Sequence, residues 1–479
     1  MAKSGIKSGF ILLLVIVAGS VPTVVAQQIQ DLYLECVKPV YILADDFNRD
    51  SYPDLALACH SCNTVVVLPN LGRVGTPCAQ FDSAYSWKLE DAPTALASGY
   101  FLDPPSGQNF PYFSVFPNIV AVTQYQPGLV RFSPLDPRGE FLSFRDSPNP
   151  VEVNTISSFA TLTHVLAVDL TNDGALEVVV LDGLTPMIGV YQGDRSGLNP
   201  AVPGSSGGTS VAEVASLVFP ISAYRAYYMA TGDFDRDGYL DLVVAADGKI
   251  MFFRNEFAPG GTLRLAPPAQ DIFPQATPEI VVGTKVVGLA VADFDRDGYL
   301  DVAAVDPDFG ALSILINQGG CWEFHMVARI KMEGEPVFIV PIDCDRNSLV
   351  DLAIAERATD QVTIVLNKLE ALQEGSRPDP CGRTVPSPEK FDVTQFFVAF
   401  SFAVGPQPVG LAVADFDRNG IYDIAVALNG GGPPGTVSAA QVIYNPCCCN
   451  ICGVNTPCCG EAESELERCP EEIGGAPKG

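Results

Sequence analysis

Apolar residues in this chain fall in short runs rather than in helical stripes. Val287-Gly-Leu-Ala-Val-Ala, ending at Asp293, is followed by Leu300-Asp-Val-Ala-Ala-Val305 and Ala311-Leu-Ser-Ile-Leu-Ile316, and then by the alternating run Trp322-Glu-Phe-His-Met-Val327. Runs of this length, rich in Val and Ile and bounded by Gly, Asp and Pro, predict β-strands, and the unbroken ones predict strands buried on both faces. Asp306-Pro-Asp-Phe-Gly310 predicts the turn between the second and third strands. The stretch therefore reads as one unit of four strands.

Between the first and second strands of that unit lies a nine-residue acidic phrase, Asp293-Phe-Asp295-Arg-Asp297-Gly298-Tyr299-Leu-Asp301. It recurs without change from Asp233 through Asp235, Asp237 and Tyr239 to Asp241. Weaker copies place oxygen-bearing side chains at the same positions 1, 3, 5 and 9. They are Asp46, Asn48, Asp50 and Asp54; Asp169, Thr171, Asp173 and Glu177; Asp343, Asp345, Asn347 and Asp351; and Asp415, Asp417, Asn419 and Asp423. The interval between the first two phrases is about twice the others, which predicts a hidden repeat near residue 100. Leu96-Ala-Ser-Gly-Tyr-Phe-Leu-Asp103 and Asn118-Ile-Val-Ala-Val-Thr-Gln124 match the strands on either side of a phrase, while Pro104 to Pro111 carries no acidic ladder. Seven repeats of four strands predict an all-β fold, a seven-bladed β-propeller of four-stranded antiparallel blades. Such a ring buries both faces of each blade and leaves only short edges.

The phrase carries chemistry as well as register. Side chains at positions 1, 3, 5 and 9 can converge on one point, a glycine at position 6 permits the sharp turn, and the carbonyls of Tyr239 and Tyr299 can add an oxygen. Position 9 can bind through both its oxygens. An all-oxygen donor set on a flexible turn favours Ca²⁺ over Mg²⁺, and the scarcity of His and Cys at these positions argues against zinc. A single copy would be no more than an Asp-rich turn. Six copies with ligand spacing predict up to six Ca²⁺ sites, because clustered carboxylates without a cation repel one another. The Asp233 and Asp293 loops, with four Asp each, are expected to fill first.

Charge fits this picture. Against 28 basic residues stand 56 acidic ones, a net charge of -28. About 20 carboxylates lie within the six phrases, and a divalent cation in each would return roughly +12. A surface this acidic repels phosphate backbones and excludes a nucleic-acid partner. The 43 Gly and 39 Pro suit a fold of many turns.

Residues 1–26 read as a secretory signal, with Lys3 and Lys7 ahead of an apolar run from Phe10 to Ala18 and a small-residue cleavage site at Val24-Val25-Ala26. The expected location is secreted, periplasmic or cell-surface, with no membrane span once the signal is removed. Residues 27–445 form the propeller, with loops expected at Asp194 to Gly208 and Leu369 to Lys390, and 446–479 form a Cys-rich acidic tail.

Fourteen cysteines in an exported chain predict disulfides. Cys36, Cys59, Cys62 and Cys78 fall in the first blade, where Cys59-His-Ser-Cys62 is expected to brace a hairpin. Cys321 and Cys344 can meet between blades, and the tail holds seven cysteines, an odd number, so one of them can pair with Cys381 or another residue of the body. The histidines His60, His164 and His325 stand in no nucleophile–base motif, so no catalytic residue is assigned. Arg49, Arg236, Arg296, Arg346 and Arg418 share position 4 of the phrase and are expected to pair with nearby loop carboxylates.

The run Val291-Ala-Asp-Phe-Asp-Arg-Asp-Gly-Tyr-Leu-Asp-Val302 and its copies resemble the FG-GAP and VCBS-type repeats of integrin-α-like β-propellers, over about residues 31–445. The resemblance implies seven blades with Ca²⁺ loops between the first two strands of some of them. It implies cation ligands at Asp293, Asp295, Asp297 and Asp301 and at matching positions elsewhere. The Gly-Ala-Pro ending of integrin repeats is absent, and Ala245-Ala-Asp-Gly248 and Ala304-Val-Asp-Pro307 stand in its place, which points to a VCBS-type relative of bacterial style.

The expected function is a calcium-stabilised binding or adhesion module for a protein or glycan ligand. The alternative is a structural cell-surface component cross-linked or docked through the Cys-rich tail. A propeller polysaccharide lyase or hydrolase ranks below both, because no acid–base cluster stands outside the calcium loops.

Overall fold

A computed structural model describes residues 28–34, 38–73, 79–101, 117–124, 128–132, 151–153, 159–191, 193–194, 197–198, 217–257, 262–270, 276–319, 321–367, 376–378, 384–386, 396–430, 439–444 and 446. The expected signal segment, nearly all of the Cys-rich tail, Cys36, Cys78, Cys381 and the acid-free loop from Pro104 to Pro111 lie outside these residues. So does most of the two long loops, of which only the hairpins Gly193–Asp194 with Gly197–Leu198 and Ser376–Pro378 with Thr384–Pro386 are described.

Seven antiparallel sheets form the blades of a β-propeller. The fifth blade is the unit read from the sequence, with strands Gly288–Ala292, Asp301–Asp306, Ala311–Asn317 and Phe324–Lys331 in that order. The hidden repeat is a blade too: Pro93–Gly99 pairs with Asn118–Thr123, and Leu129–Phe132 and Val151–Val153 follow. In the fourth blade the outer strand is split, with Leu265–Ala266 and Glu279–Val281 pairing separately with Lys249–Asn255. The only helix among the described residues is the 3₁₀ turn His60–Cys62.

The seventh blade shows how the ring closes. Pro408–Ala414, Asp423–Leu428 and Ala440–Tyr444 supply three strands, and Gln28–Leu32 supplies the fourth by pairing with Ala440–Tyr444. This segment precedes the first acidic phrase, so the repeat pattern did not assign it to a blade. Its hydrogen bonds occupy an edge that would otherwise be open.

Second strands such as Asp54–Cys59 are buried at every residue. The reason is the two-residue period. Leu55, Leu57 and Cys59 pack with Ala425 and Ala427 of the seventh blade, while Ala56 and Ala58 pack with Ile119 and Ala121 of the second. Both faces are core, which is why the strands read as unbroken apolar runs.

Register slips near the start of six first strands bring particular side chains to the axis. After such slips come Tyr41, His164, Tyr228 and Phe338, from blades one, three, four and six. Their rings touch in a closed circuit across the axis. Tyr41 meets His164 and Phe338 at 5.9 Å between centroids, His164 meets Tyr228 at 4.0 Å, and Tyr228 meets Phe338 at 5.8 Å. His164 Nδ1 is buried without a hydrogen-bond partner, and burial lowers its imidazole to a pKa of about 3, so the ring is neutral at physiological pH. Its role is packing on the axis, with Nε2 at 3.5 Å from the Tyr41 hydroxyl.

Candidate metal centres and the blade junctions

All six acidic phrases fold as one kind of loop. The position-1 carboxylate accepts from the backbone N–H of position 6 in every copy: Ser51 to Asp46, Gly174 to Asp169, Gly238 to Asp233, Gly298 to Asp293, Ser348 to Asp343 and Gly420 to Asp415. Position 5 accepts from the N–H of position 7, as in Tyr52 to Asp50, Ala175 to Asp173, Tyr239 to Asp237 and Tyr299 to Asp297, at 2.8 to 3.0 Å. Asn347 and Asn419 do the same through their amide oxygens. Position 6 is left-handed whether it is Gly298 (φ 90°) or Ser51 (φ 73°), because the carboxylate of position 1 draws the N–H inward.

Position 9 closes the loop. One oxygen of Asp54, Glu177, Asp241, Asp301, Asp351 and Asp423 accepts from the N–H of position 2. In four blades the other oxygen accepts from the N–H of an asparagine at or just past the end of the third strand: Asn70, Asn255, Asn317 and Asn367, at 2.7 to 2.8 Å. These carboxylates are thus already held by two backbone donors. Burial pushes Asp54 and Asp241 up to about 8, and Asp351 and Glu177 to about 7.

The same asparagines reach sideways. Each Nδ2 donates to the position-2 carbonyl of the preceding blade: Asn70 to Phe416, Asn255 to Leu170, Asn317 to Phe234 and Asn367 to Phe294, at 2.8 to 2.9 Å. Sequence reasoning missed these residues. A signal was present, since an asparagine recurs at a nearly fixed distance after position 9 and ends an apolar run each time.

Four groups of three carboxylates have ligand atoms within 4.8 Å of one another: Asp233, Asp235 and Asp241; Asp293, Asp295 and Asp297; Asp343, Asp345 and Asp351; and Asp415, Asp417 and Asp423. Asp301 is not in its loop's converging group; Asp297 takes the third place. The loops at Asp46 and Asp169 form no such group among the described residues. There Asn48 Nδ2 donates to Asp50 at 2.9 Å, and Thr171 Oγ1 to Glu177 at 3.5 Å.

Two identical phrases sit in different surroundings. In the Asp233 loop, Arg254 bonds Asp235 through Nε and Asp237 through Nη2, both at 2.7 Å, and Trp322 Nε1 donates to Asp235 at 3.3 Å. Arg73 likewise pairs with Asp417, at 2.6 Å. In the Asp293 loop, Asp293 Oδ1 and Asp295 Oδ2 are buried and accept no hydrogen bond, and Asp343 Oδ1 shares this condition. Burial, and then repulsion from Asp297, pushes Asp295 up to about 7, while Asp301 is raised well above the usual carboxylate range by burial first. Buried carboxylate oxygens converging without donors are what a cation would satisfy, so this donor set fits Ca²⁺.

The arginines of position 4 do not chiefly pair with loop carboxylates. All of them, and Asn172 at the same position, have left-handed backbones with φ of 56° to 62°, and their side chains reach the loop of the next blade. Arg296 Nη2 donates to the Asn347 carbonyl at 3.1 Å and Arg346 Nη2 to the Gly420 carbonyl at 2.5 Å. Arg236 lies over the Tyr299 ring at 5.2 Å, and Arg418 over Tyr52 at 5.2 Å.

Among the histidines and cysteines, His60 Nε2 lies 2.5 Å from Gln124 Oε1 and His325 Nε2 2.8 Å from Glu323. Cys62 is a free thiol, which corrects the expectation of a Cys59–Cys62 brace. Cys59 points into the core between blades, whereas Cys62 sits on the 3₁₀ turn with Sγ 3.7 Å from the Cys59 carbonyl.

The described residues form a β-propeller of seven blades, one stretch of which matches a known repeat family. A family model for the FG-GAP-like repeat matches residues 233–304, the span holding both four-Asp phrases. Two solved structures are similar, both of BBS1N in complex with ARL6DN, one soaked with mercury and one with lead. They are 13% and 11% identical over 88% and 86% of this chain and 97% and 92% of theirs, with TM-scores of 0.49 and 0.48. No curated protein matches the sequence. Among the described residues no helix is long and apolar enough to cross a membrane.

Proposed function

We propose that this chain is an exported, calcium-binding propeller that serves as a protein- or glycan-binding adhesion module. The observation that carries the calcium reading is the Asp293 loop, where Asp293, Asp295 and Asp297 converge while Asp293 Oδ1 and Asp295 Oδ2 lack any donor. A bound Ca²⁺ would be held by these three side chains and would neutralise charges that burial otherwise penalises. The Asp293 loop leads, because at the Asp233 loop a cation must displace Arg254.

Disulfide-bonded Cys59, Cys321 and Cys344 support passage through an oxidising compartment. The aromatic circuit of Tyr41, His164, Tyr228 and Phe338 fills the axis where a channel site would need open space, which supports binding over catalysis. Ligand contact would then fall to loops at one end of the ring.

The experiment is metal analysis of the purified chain, with a protein and glycan binding screen run in calcium and in chelator. Bound calcium and calcium-dependent capture of one ligand class are expected. A chain free of calcium after dialysis against millimolar calcium would overturn the reading.

A further inference from the structure

The links made by position 4 form a series. Asn172 Nδ2 donates from the third blade's loop to the Gly238 carbonyl of the fourth, at 2.5 Å. Arg236 passes from the fourth to Tyr299 of the fifth, Arg296 from the fifth to Asn347 of the sixth, and Arg346 from the sixth to Gly420 of the seventh. Arg418 passes from the seventh to Tyr52 of the first, and Arg49 ends the series over Tyr100 of the second, at 5.8 Å. Every link leaves position 4, and between the phrases every acceptor is position 5, 6 or 7 of the neighbouring phrase.

We infer that these side chains couple the cation loops of adjacent blades, so that a cation held in one loop strengthens binding in the next. The inference rests on the calcium reading above and extends it from single loops to the ring. Position 4 is left-handed, a conformation an arginine adopts only when its surroundings impose it. The loop's own hydrogen bonds impose it, and a cation in the same loop would hold it more firmly by drawing positions 3 and 5 together on either side. That fixes where the arginine starts. A cation in the next loop fixes where it ends, because positions 5 to 7 form the turn that wraps the ion. Arg236 Nη1 would lie 3.0 Å from a Cβ at Gly298, so the guanidinium is seated against the turn itself. Each bound loop thus orders one half of a contact that the other loop completes, and by linkage the effect is mutual.

Calorimetric titration of the chelator-stripped full chain with calcium chloride tests this, with bound calcium counted at saturation. The wild-type isotherm is expected to be steeper than that of independent sites. Arg296→Ala and Arg346→Ala should bind the same number of ions with a flatter isotherm, and the affinity of the flanking loops should fall roughly 5-fold or more. Arg346→Lys should recover part of the steepness, since an ammonium can still donate to the Gly420 carbonyl. Lys249→Ala, which removes a pair with Glu279 at the end of strand Lys249–Asn255 remote from Asp241, should leave the isotherm unchanged. A wild-type isotherm no steeper than that of independent sites would overturn the coupling while leaving calcium binding intact, as would arginine variants of undiminished steepness. A chain that takes up no calcium overturns both. Circular dichroism at saturation confirms that each variant is folded, and Arg346→Lys carries the test if an alanine variant is not.

Discussion

Asn317 and Phe234 belong to different blades, yet the amide of the first donates to the carbonyl of the second at 2.9 Å. The same amide donates to Leu300 at 3.2 Å, and its backbone N–H is held by Asp301. One side chain therefore ties a third strand, its own cation loop and the preceding blade. Asn255 and Asn70 repeat the arrangement.

Removing that amide should weaken the ring more than an ordinary surface change. Asn317→Ala leaves the Phe234 carbonyl unpaired in a buried junction, and a loss of about 1–3 kcal/mol is expected. Urea unfolding of the variant against wild type measures it. A difference within about 0.5 kcal/mol, typical of neutral surface changes, would show that water replaces the amide at no cost.

Stripping metal should lower the melting temperature. At a hundred times its dissociation constant, one cation stabilises by about 2.7 kcal/mol, and four loops with converging carboxylates are available. Asp295→Asn should shrink the gap between melts in calcium and in chelator. Coincident melts of the wild-type chain in the two conditions would contradict the cation sites.

The dependence on pH should reverse with metal. In the metal-free fold, burial raises Asp54 and Asp241 to about 8 and Asp351 to about 7, above the unfolded value of about 4. A raised carboxyl favours the fold in its protonated state. That stabilisation is complete below about pH 4 and is lost as pH rises through 7 to 8. Calcium binds the ionised form, so the loaded chain should instead lose stability as pH falls. Melts at pH 5 and pH 8 should therefore change order between chelator and calcium. The same order in both would refute the argument.

Arg254 should act as a built-in competitor. Arg254→Ala removes two charge-assisted bonds from Asp235 and Asp237, and the metal-free chain should lose about 2 kcal/mol. With calcium in excess the loss should shrink, because the freed carboxylates bind the ion instead. Equal losses in the two conditions would place Arg254 outside the cation chemistry.

Much of this was legible in the sequence, and the rest was not for physical reasons. The acidic phrase needs its side chains at fixed spacing within one loop, so Asp293 to Asp301 announced itself, and the interval between copies revealed the blade at Pro93–Gly99. Contacts between blades leave fainter marks. Asn317 acts across 83 residues on Phe234, and a lone asparagine after an apolar run resembles any strand end. Position 4 recurred visibly, but its target lies one blade away, so pairing with its own loop was the natural expectation. The axial rings were hidden most deeply, since Tyr41, His164, Tyr228 and Phe338 share a place but span three residue types. Gln28–Leu32 carries no phrase and was assigned to a blade only by its partner strand.

That last pairing has a consequence for how the ring is made. During synthesis Gln28–Leu32 emerges before Ala440–Tyr444, with six blades between them. The early strand must wait, its hydrogen-bonding groups unpaired, until Ala440–Tyr444 has left the ribosome. Closure is therefore the most non-local event in folding and should be its slowest step. A nascent chain halted before residue 440 would remain an open arc, with an adhesive edge at each end.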